Sequence, residues 1–127
     1  MDFSISDTQE MMCREARKFL EKECPSRLVR DMEEAGKSYS PELWRQMREL
    51  GWMAMPFPEN YGGLGGNFLD LVLLCEEMGR VCLPSPLLPS VILGGMTILN
   101  TGFDIQKSKL LPTIASGETI YTLALLE

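Results

Sequence analysis

No histidine occurs among the 127 residues, which excludes Ser-His-Asp and Cys-His nucleophilic chemistry built from this chain alone. The four cysteines, Cys13, Cys24, Cys75 and Cys82, include no C-x-x-C pair. Without imidazole a zinc site would need thiolates alone from scattered positions, so no metal ligands are expected. The cysteines read instead as reduced, mostly buried thiols. Basic side chains are outnumbered, 12 Lys and Arg against 18 Asp and Glu, for a net charge of −6. That lacks the basic footprint a nucleic-acid partner needs. The longest run without charge, Val81 to Phe103, is broken by Pro84, Pro86, Pro89 and several glycines, so no membrane span is expected. Met1-Asp2-Phe3-Ser4 shows no basic segment followed by an apolar one. No secretory signal is therefore expected, and a cytoplasmic setting is.

What is present is an ordinary globular composition, 45% hydrophobic and 24% charged. A chain of this length forms one domain able to bury about two thirds of its unfolded surface. The charges are uneven: residues 1–50 hold 20 of the 30 charged side chains and residues 51–127 hold 10. Either the second part is the core, or some of it faces another domain or subunit.

The pattern predicts about six helices. Ser6-Asp7-Thr8-Gln9 matches a capping box, opening an amphipathic helix that ends near Glu23, with Met12, Ala16, Phe19 and Leu20 on its apolar face. Pro25 suits the first turn of a shorter helix stopped by Gly36. Ser40-Pro41 is an N-cap and first-turn pair for a third helix, with Leu43, Met47 and Leu50 as its buried stripe and Gly51 at its left-handed end. Residues 52–66 carry Pro56, Pro58 and four glycines and read as an irregular connection. From Asn67 to Met78 a helix is apolar nearly all round, which means central burial or a shared face. After Pro84-Ser85-Pro86, the spacing of Leu88, Val91, Ile92, Gly95, Ile98 and Leu99 predicts another helix. Asp104 caps a two-turn helix through Leu111, which Pro112 closes or extends by one turn to Ser116. The tail from Thr119 to Leu126 is rich in β-formers and reads as a strand with no partner in an otherwise helical chain.

Few constellations survive a physical reading as chemistry. Tyr61 to Gly66 is glycine-rich, but the G-x-G-x-x-G spacing fails at Phe68 and no strand precedes it, so it reads as a structural loop. Glu76 and Glu77 are adjacent, about 100° apart on a helix, and do not share a site; one is expected in water and one beside Arg80. The nine methionines, Trp44 and Trp52 read as core filler and packing anchors. Gly94-Gly95 inside a helix costs about 1 kcal/mol per residue relative to alanine. The pair serves either close helix packing or room for a ligand.

An ordered series of short segments resembles one family. It runs Ser40-Pro41-Glu42-Leu43-Trp44, Glu49-Leu50-Gly51, Pro58-Glu59-Asn60-Tyr61-Gly62-Gly63, Glu76-Glu77-Met78-Gly79-Arg80, Gln106-Lys107, Leu111-Pro112 and Ala115-Ser116-Gly117-Glu118. Their order and spacing resemble the N-terminal helical domain of acyl-CoA dehydrogenases. The resemblance implies an all-α multi-helix bundle over residues 1–118, with 119–127 as the first strand of a middle β-domain. It also implies, for the parent protein, α,β-dehydrogenation of an acyl-CoA with hydride passing to FAD, electrons leaving to an electron-transferring flavoprotein, and a homo- or hetero-oligomer. The family's catalytic glutamate lies in a later domain, so no catalytic residue is expected in this chain, which would be inactive alone. The helix bearing Val91, Gly94 and Gly95 corresponds to one that helps wall the acyl pocket. Ala124-Leu125-Leu126-Glu127 stands where the family carries a motif resembling A-[LV]-T-E-P, whose threonine hydrogen-bonds the flavin. Leu126 has no hydroxyl, so only backbone contacts of Leu123, Leu125 and Leu126 carry over. That departure also fits a non-catalytic subunit of a mixed assembly, or a helical interaction module that has lost the chemistry.

Overall fold

The computed structural model describes residues 4–126. Among them are six α-helices: α1 (Asp7–Glu23), α2 (Ser26–Glu34), α3 (Pro41–Glu49), α4 (Phe68–Arg80), α5 (Met96–Thr101) and α6 (Asp104–Ala115). A single 3-10 turn, Glu59–Tyr61, interrupts the long α3–α4 connection, and a π-helical stretch, Leu88–Gly95, runs directly into α5.

Local chemistry explains most boundaries. Ser6 and Gln9 form the expected reciprocal capping box at α1, and Asn67 and Asp70 form a second one at α4. Ser40 accepts the Leu43 N–H at the start of α3, with Pro41 in its first turn. Asp104 is the first residue of α6 rather than its cap: the N-cap is Phe103, whose N–H the Gln106 side chain accepts at 2.9 Å. The helix also continues through Pro112 to Ala115 rather than stopping at Leu111. Pro112 has no N–H to donate one turn back, and the residue left without that donor, Ser108, is exposed to water, which reduces the penalty.

Helices α1 and α4 lie side by side and run in the same direction. Gln9 donates to Asp70 at 2.7 Å near their starts, and Arg17 donates to Glu77 at 2.7 and 2.8 Å two turns on. The core fills the space beneath them with Leu20, Met47, Met53, Phe57, Leu71, Leu74, Leu87, Val91, Leu111 and Ile114. Trp44 and Trp52 are buried packing anchors: the Trp44 indole donates to the Gly117 carbonyl at 3.0 Å, and Trp52 meets Phe19 edge to face. The stripe expected on α3 differs at one position. Leu43 and Met47 are buried, but Leu50 is 50% exposed and Trp44 takes the interior place. Leu50 is the helix's C-cap, and Gly51 at φ 76° turns the chain away immediately after it.

The α4 helix is buried on one side through Leu71, Leu74, Glu77 and Met78, and carries exposed Phe68, Leu69 and Val72. Its all-round apolar character therefore reflects a second, uncovered face. Segment 119–126 forms no strand. A strand is defined by its ladder, and no other extended segment among the described residues offers one. Glu127 lies outside the described residues.

Candidate functional site

The π-helical stretch Leu88–Gly95 and the tail meet at one place. Ser90, buried to 1% exposure, accepts the Tyr121 N–H at 3.1 Å through its hydroxyl. The Tyr121 phenol lies 3.3 Å from the Thr113 hydroxyl, and the Thr119 N–H donates to the Thr113 carbonyl at 3.2 Å. These bonds hold the start of the tail against α6 and the π-helical stretch. The wider π turn shows in its hydrogen bonding: the Met96 N–H reaches the Val91 carbonyl, five residues back. Pro89 can supply no N–H of its own at the start of the stretch.

Val91, Gly94 and Gly95 are all buried here. A methyl group on Gly95 would lie 2.4 Å from the Phe57 ring, and one on Gly94 would lie 3.0 Å from the Tyr121 Cβ. Both glycines are thus places of close approach, one beneath a fully buried aromatic ring and the other beneath the tail. The space directly above each is filled by the protein itself. Leu88 and Leu93 on the same stretch remain exposed.

Beyond Tyr121 the chain runs outward: Leu123 is half-buried, Leu125 exposed, and Leu126 99% exposed. No side chain from Leu123 to Leu126 can donate a hydrogen bond, so this segment presents only backbone groups to any neighbour.

No charged residue occurs in 81–103 or 119–126, so this region offers no carboxylate or amine as a proton acceptor. Glu77, the one buried carboxylate among the described residues, is committed elsewhere. The Arg17 guanidinium holds its carboxyl below the usual carboxylate range, with Arg80 adding to the effect at 3.6 Å. Glu76, its neighbour, is exposed, so the two carboxylates do part company as the helical geometry requires. Burial pushes the Cys75 and Cys24 thiols up, and no group of three or more metal-ligating side chains occurs among the described residues. No described helix is long and apolar enough to cross a membrane.

The glycine-rich loop is structural. Methyl groups on Gly63 and Gly66 would strike the Phe57 and Met55 carbonyls at 1.9 and 2.7 Å. The N–H groups of Gly63, Leu64, Gly65 and Gly66 all donate to backbone carbonyls of residues 54–58. None is left to cradle a phosphate.

Sequence reasoning missed three participants, Phe57, Ser90 and Tyr121. Phe57 sits in an irregular segment where no periodicity marks it as core. Ser90 and Tyr121 become partners only through folding, 31 residues apart.

Comparison with known proteins gives a consistent result. The family model for the acyl-CoA dehydrogenase N-terminal domain matches residues 6–118. The probable acyl-CoA dehydrogenase YngJ of Bacillus subtilis is 31% identical over all of this chain and 33% of its own length. The short-chain specific acyl-CoA dehydrogenase of Clostridium acetobutylicum is 32% identical over all of this chain and 34% of its own length. Among solved structures, acyl-CoA dehydrogenase from Geobacillus kaustophilus superposes with a TM-score of 0.78 at 30% identity, covering 94% of this chain and 31% of that one. A chain of the ChsE4-ChsE5 complex from Mycobacterium tuberculosis has the same fold, with a TM-score of 0.89 at 24% identity, covering 98% of this chain and 34% of that one. The chain spans about a third of the length of the curated relatives it matches.

Proposed function

Because this chain belongs to the acyl-CoA dehydrogenase family, as its N-terminal helical domain, we propose that it serves α,β-dehydrogenation of an acyl-CoA thioester. Hydride would pass to FAD held mainly by other parts of the protein, in a cytoplasmic setting, with an electron-transferring flavoprotein as the electron acceptor. The observation that carries this reading is the match over residues 6–118 together with the helical superposition on enzymes of that class. FAD supplies the hydride acceptor; this chain supplies no acid or base to the reaction.

Within that reading, Leu88–Gly95 contributes to the wall of the acyl pocket. A π-helical stretch is a frequent mark of functional positions, and this one exposes Leu88 and Leu93 while burying Val91. Gly94 and Gly95 shape the wall by letting Tyr121 and Phe57 approach its backbone. Leu123, Leu125 and Leu126 would pass beside the isoalloxazine with backbone groups only. The exposed apolar residues of α4, Phe68, Leu69 and Val72, fit burial against a further domain or subunit of a homo- or hetero-oligomer. Assay of the protein carrying this chain, with an artificial electron acceptor, tests the reading: it should yield enoyl-CoA, whereas residues 1–127 alone should not. Turnover by 1–127 alone would overturn the division of labour.

A second reading is favoured by Leu126. The family resemblance places a hydroxyl there, and leucine has none, which suits a subunit whose partner carries the flavin. The ChsE4-ChsE5 complex and the caffeyl-CoA reductase-Etf complex subunit CarC of Acetobacterium woodii are relatives named as members of complexes. Replacing Leu126 by Thr separates the readings. Tighter FAD binding in the variant supports a weakened but genuine flavin site; absence of flavin from both forms favours the partner-dependent subunit.

A further inference from the structure

Three helices of this protein end in the same way. After α2, α3 and α6 the chain places a glycine in the left-handed region: Gly36 at φ 64°, Gly51 at φ 76° and Gly117 at φ 66°. The end of α4 has the hydrogen bonds that end α2 and α3, with the Cys82 N–H donating to the Gly79 carbonyl and the Leu83 N–H to the Met78 carbonyl, both at 3.1 Å. This is the Schellman arrangement, whose left-handed position is ordinarily glycine. Here it is Cys82 at φ 52°, the one non-glycine residue with positive φ among the described residues. A side chain disfavours that conformation, so a cysteine there requires an account that glycine would not.

The surroundings supply one. Cys24 is the C-cap residue of α1, buried to 1% exposure, and Cys82 follows the C-terminus of α4 and is exposed. Because α1 and α4 run in the same direction, in the register set by Gln9–Asp70 and Arg17–Glu77, their C-terminal ends lie together. Cys24 and Cys82 line one open groove there, with Val29 and Val81 beside them. They are close enough that the Cys82 thiol adds to the upward push that burial exerts on Cys24. Cys13 and Cys75 do not line this groove.

We propose that Cys24 and Cys82 are a thiol pair that a hydroperoxide converts reversibly to a disulfide, tying the end of α1 to the end of α4. The exposed Cys82 reacts first: its thiolate attacks the peroxide, the O–O bond breaks, and the products are a sulfenic acid and hydroxide, or for an organic peroxide an alkoxide that takes a proton from water. The Cys24 sulfur then attacks the Cys82 sulfur, the S–O bond breaks, and water leaves with the Cys24 proton. The two thiols are oxidised by two electrons and the peroxide is reduced by two. A dithiol reverses the step by exchange. The cross-link closes a loop containing α2, α3 and α4 and fixes the point from which Pro84-Ser85-Pro86 leads into Leu88–Gly95.

The test uses the whole protein carrying this chain, in a Cys13→Ser, Cys75→Ser background, treated with hydrogen peroxide and then with dithiothreitol. Peptide mapping without reduction should show one intramolecular peptide joining Cys24 to Cys82, two hydrogens lighter than its parts and lost on reduction. The oxidised protein should melt roughly 5 °C higher than the reduced one. Cys82→Gly provides the control that still folds: it should melt no lower than the reduced parent while giving no cross-link and no peroxide-dependent rise. The proposal is overturned if Cys82 accumulates as sulfinic acid without joining Cys24. It is equally overturned if the cross-link forms only between molecules, or if Cys82→Gly keeps the peroxide-dependent rise.

Discussion

The Arg17 guanidinium grips the Glu77 carboxylate with two hydrogen bonds, at 2.7 and 2.8 Å, across 60 residues of sequence. Glu77 is 5% exposed and Arg17 about half exposed, so the pair straddles the surface between α1 and α4. A buried charge is costly unless paired, and this bond therefore fixes which faces of the two helices meet.

Arg17→Met leaves Glu77 with Arg80 alone at 3.6 Å. Breaking a fully buried pair costs about 3–5 kcal/mol; with one partner half exposed, the loss should be about 2 kcal/mol. Urea unfolding at neutral pH checks it. The pH dependence follows from the same bond. The folded pKa of Glu77 is depressed below its ordinary 4.5, so the unfolded chain takes up the proton first. The stabilisation is complete above the unfolded value and is lost as pH falls below 4.5 through the folded value. Glu77→Gln should flatten that acid limb of the stability curve.

The two glycines of the π-helical stretch should respond unequally to alanine. Gly95→Ala drives a methyl to 2.4 Å from the buried Phe57 ring and should cost about 2–3 kcal/mol by overpacking. Gly94→Ala meets the Cβ of half-buried Tyr121 at 3.0 Å, a milder approach, and should cost about 1 kcal/mol. If the stretch walls the acyl pocket, either change should also alter the chain-length profile of the whole enzyme. Profiles that stay parallel while the melting temperature falls assign the glycines to packing alone.

Gly79 is the opposite case. It lies in α4, is exposed, and a methyl there would meet nothing within 4 Å. Gly79→Ala should stabilise the protein by about 0.5–1 kcal/mol through helix propensity and reduced freedom of the unfolded chain, measured as a rise in urea midpoint.

Ser90→Ala removes the hydroxyl that accepts the Tyr121 N–H. The expected cost is about 1 kcal/mol, and its signature is local: hydrogen exchange at Tyr121 should accelerate while amides of α1 and α4 are unchanged.

Helix starts were legible where their chemistry is local: Ser6 with Gln9 and Ser40 with Pro41 are each read within four residues. The buried role of Glu77 was not, because its partner Arg17 becomes a neighbour only when α1 docks on α4. Leu50 misled for a related reason. It satisfies the helical period, but the left-handed Gly51 ends that period, and the core beyond it is supplied by Trp52 and Met53. Phe57, among the most deeply buried residues, lies in a segment with no period at all. The β-rich tail shows the limit of composition: Thr119 to Leu126 has the residues of a strand, but pairing needs a second segment. The contrast between Cys82 and the glycines that end α2, α3 and α6 was readable in principle. It acquires meaning only once all four helices are known to end on a left-handed residue.

The proposal that this chain serves a flavin-dependent acyl-CoA dehydrogenase is tested most directly by visible spectroscopy of the whole protein, isolated with all its natural segments and subunits. The account predicts the absorption of oxidised flavin and its bleaching, without added oxidant or acceptor, when a suitable acyl-CoA is titrated in under anaerobic conditions. A protein that contains no flavin and takes up none, or whose flavin band is unmoved by any acyl-CoA chain length, would contradict it.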